Sequence, residues 1–411
     1  MSIQQRALQE FQRQPAATAD TAAAVQLLGQ LGLPQPRDEH WRNANLRAFE
    51  QVTHFLPPGA SAALPALPAP LPGFQRAVFI DGRRAPQLSD AGALALLSNP
   101  AWPAPADNDG HRDDQRFALL NALFGNDAAQ LDLAQDVAME VLFIASGAAG
   151  SVYPRLAVTL APGVRARLVE RHLGATTADG FICAQTRIEL QRGAHLDHYR
   201  LQDCNVATLW MDTLLAQVGE QAHYDVRLLG IGAATARCSA EVRLSGAKAA
   251  LSWRSMAALD GRQVNDTLLR VTHAAPGTRT SQLFRGIAEG RARIGFDADV
   301  RVTAQAPGTR ISQSLRGLIE GAESGINLRP RLTIHTDDIQ ASHGATTGQL
   351  DENLLFYLLS RGLDVATARA LLKWAFLGDV LSAVDIPELR QQAETAAAGH
   401  LADRVLAGVL A

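Results

Sequence analysis

One histidine of the sequence lies in a setting that suits metal chemistry. His343 belongs to the segment DDIQASHGATTGQLDENLLFYLLSRG, residues 337–362, and its immediate neighbours are small. An imidazole nitrogen is a borderline-soft donor for transition metals, and small neighbours leave the ring accessible. A metal site needs further ligands, and none stands beside His343 in the chain. Two interpretations stay open: a structural residue where a strand turns into a helix, or a metal ligand whose site another chain completes.

The other polar candidates favour structural roles. Asp337 and Asp338 could form an acid-base pair, but adjacent residues of a strand diverge, and a turn explains them equally well. His195 and His198 are three residues apart in a predicted strand, which points them to opposite faces, so we interpret them as surface residues rather than ligands. The sequence has no GxSxG elbow, no phosphate-binding loop and no dinucleotide fingerprint. Its motifs therefore indicate no familiar enzyme class.

The composition indicates where the protein is located and which classes of partner it does not bind. The three cysteines, Cys183, Cys204 and Cys238, are widely spaced and form no CxxC pair, so neither a zinc site nor a disulfide framework is predicted. The net charge of -3 indicates no nucleic-acid partner. No apolar run is long enough to span a membrane, and the first residues do not resemble a secretory signal. We expect a cytoplasmic protein.

The elements that must position these residues change character along the chain. Helical spacing dominates the first 55 residues or so, and residues 56–73 then hold six prolines among small residues, which predicts an irregular crossing. A further helix is expected near residues 114–125. From about residue 137, short runs of Val, Ile, Leu and Thr alternate with turn residues.

A repeat gives this β-rich region its predicted architecture. APGTRTSQLFRGIAEG, residues 275–290, recurs as APGTRISQSLRGLIEG, residues 306–321, at an offset of 31 residues. Duplicated strand-turn units of this size are typical of stacked solenoid coils. We predict a mainly β fold with added helices: an N-terminal helical region with the proline-rich crossing (residues 1–130), a right-handed parallel β-helix core (131–340) and a C-terminal helical domain (341–411). An antiparallel sandwich is the alternative.

The predicted helix that begins near residue 365 is apolar on two sides. Val365, Ala368 and four similar residues form one arc, which would anchor the helix to the body of the protein. Ala370, Trp374, Leu377 and Leu381 form a second arc on the opposite side. Either the following helix or a partner protein must cover this second arc.

Several segments together resemble one protein family. RPRLTIHTDDI and ASHGATTGQLDENLLFYLLSRGL are similar to the C-terminal signature of the SufB/SufD family of iron-sulfur cluster assembly scaffolds, on the SufD side because Gly344 stands where SufB members have Glu. GLPQPRDEHWRNANL is similar to the N-terminal helical motif of the family, and RFALLNALFGNDAAQLDL to the beginning of its β-helix. The resemblance covers essentially the whole chain.

The resemblance implies a scaffold subunit that is not an enzyme. Its β-helix edge would pair with a SufB homologue, or with a second copy of itself in isolation, and its C-terminal helices would bind SufC, an ABC-type ATPase. A nascent iron-sulfur cluster would then be shared between His343 and a SufB cysteine, with none bound by this chain alone. Ala341 stands where many members have Cys. The SufC-binding residues would be Trp374, Leu377, Leu381 and Lys373.

Two other functions stay open beside this one. A SufB-like subunit that carries a cluster by itself would need more cysteines than these three scattered ones, two of which lie in apolar strand contexts that suit buried structural thiols. A β-helix carbohydrate-active enzyme would need clustered carboxylates along one face of its coils.

Overall fold

The N-terminal part of the protein is helical. The computed structural model describes residues 2–13, 19–59, 67–99, 102, 115–175 and 180–401, so residues 60–66 of the proline-rich crossing and residues 402–411 lie outside the described residues. The α-helices of this N-terminal part are α1 (Ile3–Phe11), α2 (Ala19–Leu31), α3 (Leu46–Phe49), α4 (Ala91–Leu96) and α5 (Arg116–Phe124), with short 3-10 helices at Glu39–Trp41 and Pro86–Leu88. A capping box begins α1, in which Ser2 and Gln5 satisfy each other's backbone N–H groups.

Nineteen strands in the described part of the chain build a parallel β-helix, which confirms the predicted fold class. They are β1 (Gln75–Ile80), β2 (Arg83–Arg84), β3 (Leu97–Ser98), β4 (Ala129–Leu133), β5 (Val137–Ser146), β6 (Arg155–Leu160), β7 (Arg165–Ala175), β8 (Ile182–Leu190), β9 (His195–Cys204), β10 (Leu209–Val218), β11 (His223–Gly230), β12 (Thr235–Leu244), β13 (Ala250–Leu259), β14 (Val264–His273), β15 (Arg279–Glu289), β16 (Arg293–Val302), β17 (Thr309–Glu320), β18 (Gly325–Ile334) and β19 (Ile339–Gly348). Apart from short antiparallel pairs at β2 and β3, neighbours within each sheet run parallel.

Alternate strands go to alternate sheets. The odd-numbered strands from β5 to β19, with β1 and β2, form a ten-stranded sheet A; the even-numbered strands from β4 to β18, with β3, form a nine-stranded sheet B. The sequence repeat is in register across two coils, because Arg279 pairs with Arg310 and Gly286 with Gly317. Each coil therefore places equivalent residues directly above one another.

Side chains that point into the β-helix form one large apolar core, and helices cover its outer faces. Helices α1, α2 and α5 pack on sheet B around Phe117, Phe181 and Met211. The C-terminal helices are α6 (Glu352–Ser360), α7 (Val365–Leu381) and α8 (Pro387–His400), and residues of α7 and α8 pack on sheet A around Leu201, Leu229 and Ile287. No described helix is long and apolar enough to cross a membrane.

Both predicted borders of the β-helix differ from the structure. Strand β1 already pairs with β5, so sheet A begins near residue 75 rather than at residue 131. Strand β19 ends at Gly348, so residues 341–348 belong to the β-helix and not to the helical domain. The segment lacks an apolar alternation, and its extended shape comes from backbone pairing with β17.

Candidate functional site

His343 lies in the middle of an edge strand rather than at a turn into a helix. Strand β19 is the last strand of sheet A, and His343 pairs in register with Gln313 of β17. Gln313 is buried, and its amide donates a hydrogen bond to Gln282 Oε1 at 2.9 Å. Since side chains in register on parallel strands share a face, His343 continues an inward-facing column that contains Gln282 and Gln313. Strand β19 ends sheet A in the described part of the chain, so no further coil covers this column there and His343 is exposed.

The surroundings of His343 are open. Residues 340–349 are all exposed, and within the described residues the imidazole of His343 has no hydrogen-bond partner. Helix α6 follows directly, and three of its large apolar side chains face solvent: Leu354 is 52% exposed, Phe356 73% and Tyr357 54%. Asp351 caps this helix by accepting hydrogen bonds from the N–H groups of its first turn. The open end of the β-helix thus combines a bare strand with an apolar helix surface.

Asp337 and Asp338 lie in the bend between β18 and β19. Both are exposed, and the backbone carbonyl of Asp338 accepts a hydrogen bond from the N–H of Gly308 at 2.8 Å. This contact places the bend beside the equivalent turn of the preceding coil. Their position fits the interpretation as turn residues. It does not favour an acid-base pair, since no other candidate site residue lies beside them in the described part of the chain.

Helix α7 contradicts part of the predicted ATPase-binding surface. Leu377 and Leu381, predicted to face a partner, are 0% and 1% exposed and pack against sheet A and α8. Lys373 is also buried and forms an ion pair with Glu289 of β15 at 2.7 Å. Trp374 is half-buried and packs near Ala370 and Ala398. The second arc of α7 is therefore covered within the chain by sheet A and α8, whereas the first arc, predicted to anchor the helix, is partly open because Val365 is 54% exposed.

The three cysteines are buried structural thiols. Cys183 lies under the N-terminal helices, and Cys204 and Cys238 are part of the apolar core. Burial raises the pKa of all three thiols, that of Cys204 to about 12. None of them is an accessible thiolate, which removes the feature that an independent cluster-carrying subunit would need.

A buried ionic cluster in the core was not predicted. Glu170 receives two hydrogen bonds from Arg200, at 2.9 and 2.8 Å, and lies 2.6 Å from His172 Nε2 and 3.0 Å from His198 Nε2. Arg200 also donates to Asp212 at 2.7 Å. Burial raises the pKa of Glu170, but the charge of Arg200 and the histidine hydrogen bonds outweigh it and hold this pKa well below its usual range.

This cluster corrects the interpretation of His198 as a surface residue. Its ring is fully buried, with Nδ1 2.9 Å from the hydroxyl of Tyr224, and burial lowers its pKa. His195 points to the opposite, outer face, as the strand spacing predicts. The sequence did contain a signal for this cluster. On the predicted strands β7 and β9, the polar residues Glu170, His172, His198 and Arg200 occupy positions that alternate toward the inside of the β-helix.

Comparisons with known proteins identify a family and several relatives. A family model of the SUF system FeS cluster assembly SufBD core domain matches residues 143–376. An iron-sulfur cluster assembly SufBD family protein of Synechocystis is 27% identical over 395 residues, which cover 89% of this chain and 87% of the relative. The iron-sulfur cluster assembly protein SufD of Escherichia coli is 27% identical over 398 residues, covering 90% of this chain and 89% of that protein. The chloroplastic protein ABCI7 of Arabidopsis thaliana is 28% identical over 251 residues, covering 60% and 53% of the two chains.

The family model matches more than half of the chain and runs from β5 into α7, so it contains most of the β-helix, the edge strand and His343. The two relatives matched over nearly their whole length are both iron-sulfur cluster assembly proteins. The chain belongs to the SufBD core-domain family of SUF-system iron-sulfur cluster assembly proteins.

Proposed function

We propose that this chain is a non-catalytic scaffold subunit of a SUF-type complex, joined to a SufB-type subunit through strand β19. The single observation that carries the proposal is the bare edge of sheet A. Strand β19 is ten residues long and exposed along nearly its whole length. Its sequence, IQASHGATTG, contains no proline and no charged residue.

Proteins normally protect a long edge strand. Proline, charged side chains and bulges prevent an unpaired row of N–H and C=O groups from pairing with another chain. The neighbouring edge of sheet B has such protection, because β18 contains Pro330 between Arg329 and Arg331. Since β19 has none, the contrast favours β19 as the strand that a partner extends, and the exposed apolar residues of α6 enlarge the surface beside it.

His343 gives this interface a chemical role. A partner strand paired with β19 would bring its side chains beside the imidazole and shield it from water. The imidazole supplies a nitrogen donor, whereas this chain has no accessible thiol and has Ala341 two residues from His343. The thiolate that a nascent iron-sulfur cluster requires would therefore come from the partner. A site divided between two chains can release its cargo when the chains move apart.

The ATPase SufC is the proposed second partner, and it would bind the C-terminal helices. Because Leu377 and Leu381 are buried, they would support the helix from within, and Trp374 would be the half-exposed contact of the predicted set. A partner would then meet the outer face of α7, where Val365 is 54% exposed.

Co-purification of a tagged chain with SufB-type and SufC-type subunits tests the proposal. Replacing Ser342 and Thr346 together by Lys puts two charges on exposed edge positions, and we expect the SufB-type subunit to be lost. The matched control is Val206→Lys, which changes an exposed apolar residue in the turn between β9 and β10. A complex that forms equally with both variants would refute pairing through β19. Alone, the wild-type chain is expected to dimerise through the same edge and the double-lysine variant to stay monomeric.

The role of His343 needs a separate measurement. His343→Ala should lower the iron and acid-labile sulfide content of the reconstituted complex while the subunits stay together. His335→Ala removes an exposed histidine just beyond the end of β18 and serves as the control. Equal cluster content in both variants would exclude His343 as a ligand.

A further inference from the structure

A second group of possible ligands lies on the outer face of sheet A, far along the sheet from the open edge. Strands β9 and β11 pair in register, so His195 lies beside His223 and Asp197 beside Asp225. Since side chains alternate between the faces of a strand, all four point outward. Five strands of sheet A are ordered from β11 to the edge at β19, which separates this group from His343.

Three atoms of this group converge on one point. His195 Nε2 lies 3.1 Å from Asp225 Oδ2 and 3.7 Å from Asp197 Oδ2, and all three atoms lie within 4.8 Å of one another. A tetrahedral ion with bonds of about 2.0–2.2 Å keeps its ligand atoms roughly 3.3–3.6 Å apart. The two measured distances lie on either side of that spacing.

The imidazole of His195 lies beside two carboxylates rather than one. Nε2 is shielded from solvent, yet no acceptor lies in hydrogen-bond geometry to it, although both carboxylates are near. Nε2 therefore lies near one oxygen of each carboxylate, where the three atoms could share an ion. A protonated ring that bridges the two carboxylates would make the same contacts.

Neighbouring groups hold these ligands in place. Arg227 Nη1 donates to Asp197 Oδ1 at 2.6 Å, which leaves Oδ2 turned toward His195. The ring of His223 stacks on that of His195, with centroids 5.6 Å apart and an angle of 16° between planes. Fixed orientation by such surrounding contacts is typical of metal ligands, and its loss commonly weakens binding 10–100-fold.

The group is also accessible. An open groove lined by Asp136, Arg165 and Arg167 borders His195 and Asp197. Arg167 is engaged by Asp385 at 3.1 Å, and Arg227 by Asp197, so the positive charge near the groove is partly neutralised. A hydrated cation can therefore reach the site from solvent.

We propose that His195, Asp197 and Asp225 bind a first-row divalent transition ion of the Fe²⁺ or Zn²⁺ class, with water in the remaining positions. One imidazole nitrogen and two carboxylate oxygens suit these ions better than Ca²⁺ or Mg²⁺, which prefer oxygen ligands alone, or Cu⁺, which prefers sulfur. The alternative is an ion triad in which a protonated His195 bridges the two carboxylates, with Arg227 supplying the second positive charge. The site involves neither β19 nor a partner, so it stands independently of the proposed scaffold role.

Metal titration of the chelator-treated full-length chain decides between the two. Co²⁺ is the visible-absorbing probe, and Zn²⁺ is titrated in parallel by calorimetry. The wild-type chain is expected to bind one ion at this site, and Asp225→Asn and His195→Gln should each raise its Kd at least tenfold. His335→Gln, which removes an exposed histidine elsewhere, and His343→Ala should leave that Kd unchanged.

The two ligand variants also report on folding. Asn is isosteric with Asp, so the melting temperature of metal-free Asp225→Asn should stay within a few degrees of wild type, while the increase that Zn²⁺ gives the wild type should disappear. Absence of ion binding by the wild-type chain would overturn the proposal in favour of the ion triad. Unchanged ion binding in both ligand variants would also overturn the proposal, because the ion would then be bound by other surface groups.

Discussion

His273 should make the stability of the β-helix sensitive to mild acid. It ends β14 with 0% exposure, between Thr278 Oγ1, 2.8 Å from Nδ1, and Thr280 Oγ1, 2.8 Å from Nε2. Thr278 Oγ1 donates its own proton to the carbonyl of Ala275, so it accepts from Nδ1–H, and Thr280 donates to Nε2. The network thus holds a neutral imidazole, and burial lowers the pKa of His273 from its ordinary 6.5 to about 4.

The sign and size of the effect follow from this shift. Because the folded pKa is below the unfolded one, the unfolded chain binds the proton more readily between pH 6.5 and 4. The stabilisation is therefore complete above about pH 6.5 and is lost as the pH falls toward 4. At about 1.4 kcal/mol per pKa unit, the full loss is about 3 kcal/mol, of which about 2 kcal/mol is gone by pH 5.

Urea unfolding at pH 7.5 and pH 5.0 measures this loss, followed by tryptophan fluorescence, to which the buried Trp210 and Trp253 of the β-helix contribute. His273→Gln retains an amide that can bond both threonines but cannot titrate, so its decrease in stability between the two pH values should be smaller by about 2 kcal/mol. Other titrating groups are common to both proteins and cancel in the comparison. His335→Gln, at an exposed site, should behave like wild type. Equal pH dependence in His273→Gln and wild type would refute the burial argument.

Two further predictions address the thiols and helix α7. In the native chain, none of Cys183, Cys204 and Cys238 should react with a thiol reagent on a timescale of minutes, whereas all three should react in denaturant; a fast-reacting native thiol would contradict their burial. Leu377→Ala should destabilise the docking of α7 on sheet A by about 2–5 kcal/mol and speed amide hydrogen exchange in α7. Val365→Ala, at an exposed position of the same helix, should change neither quantity. Equal exchange rates in the two variants would show that α7 does not depend on the Leu377 contact.

Repeats and strand spacing predict the architecture because a solenoid is built from local rules. The 31-residue offset between residues 275–290 and 306–321 is the length of one coil, and the structure pairs these segments residue by residue. Alternation along β9 also places His195 and His198 on opposite faces. These features depend only on period and on the identity of neighbouring residues.

Features that depend on contacts between coils are harder to predict. Asp225 becomes a neighbour of His195 only because the coil from β9 to β11 is 28 residues long, and this coil carries no visible repeat. Strand β19 is extended because β17 supplies hydrogen bonds, although its small polar residues indicate a turn. The second arc of α7 is covered by α8 and sheet A, a packing that helical spacing alone leaves undecided between the chain and a partner.

The attachment of α7 to sheet A affects how a partner bound to α7 could act on the edge strand β19. Lys373 is paired with Glu289 of β15, and Arg369 with Glu320 of β17 at 2.8 Å, so α7 is attached to the two strands of sheet A that precede β19. The proposed ATPase, if bound on the outer face of α7, would therefore act on a helix that charge pairs and Leu377 attach to the coils next to the edge. Because Leu377, Leu381 and Lys373 are buried against the sheet, a movement of α7 would be passed on to β19. A helix attached only by exposed residues would move without the sheet.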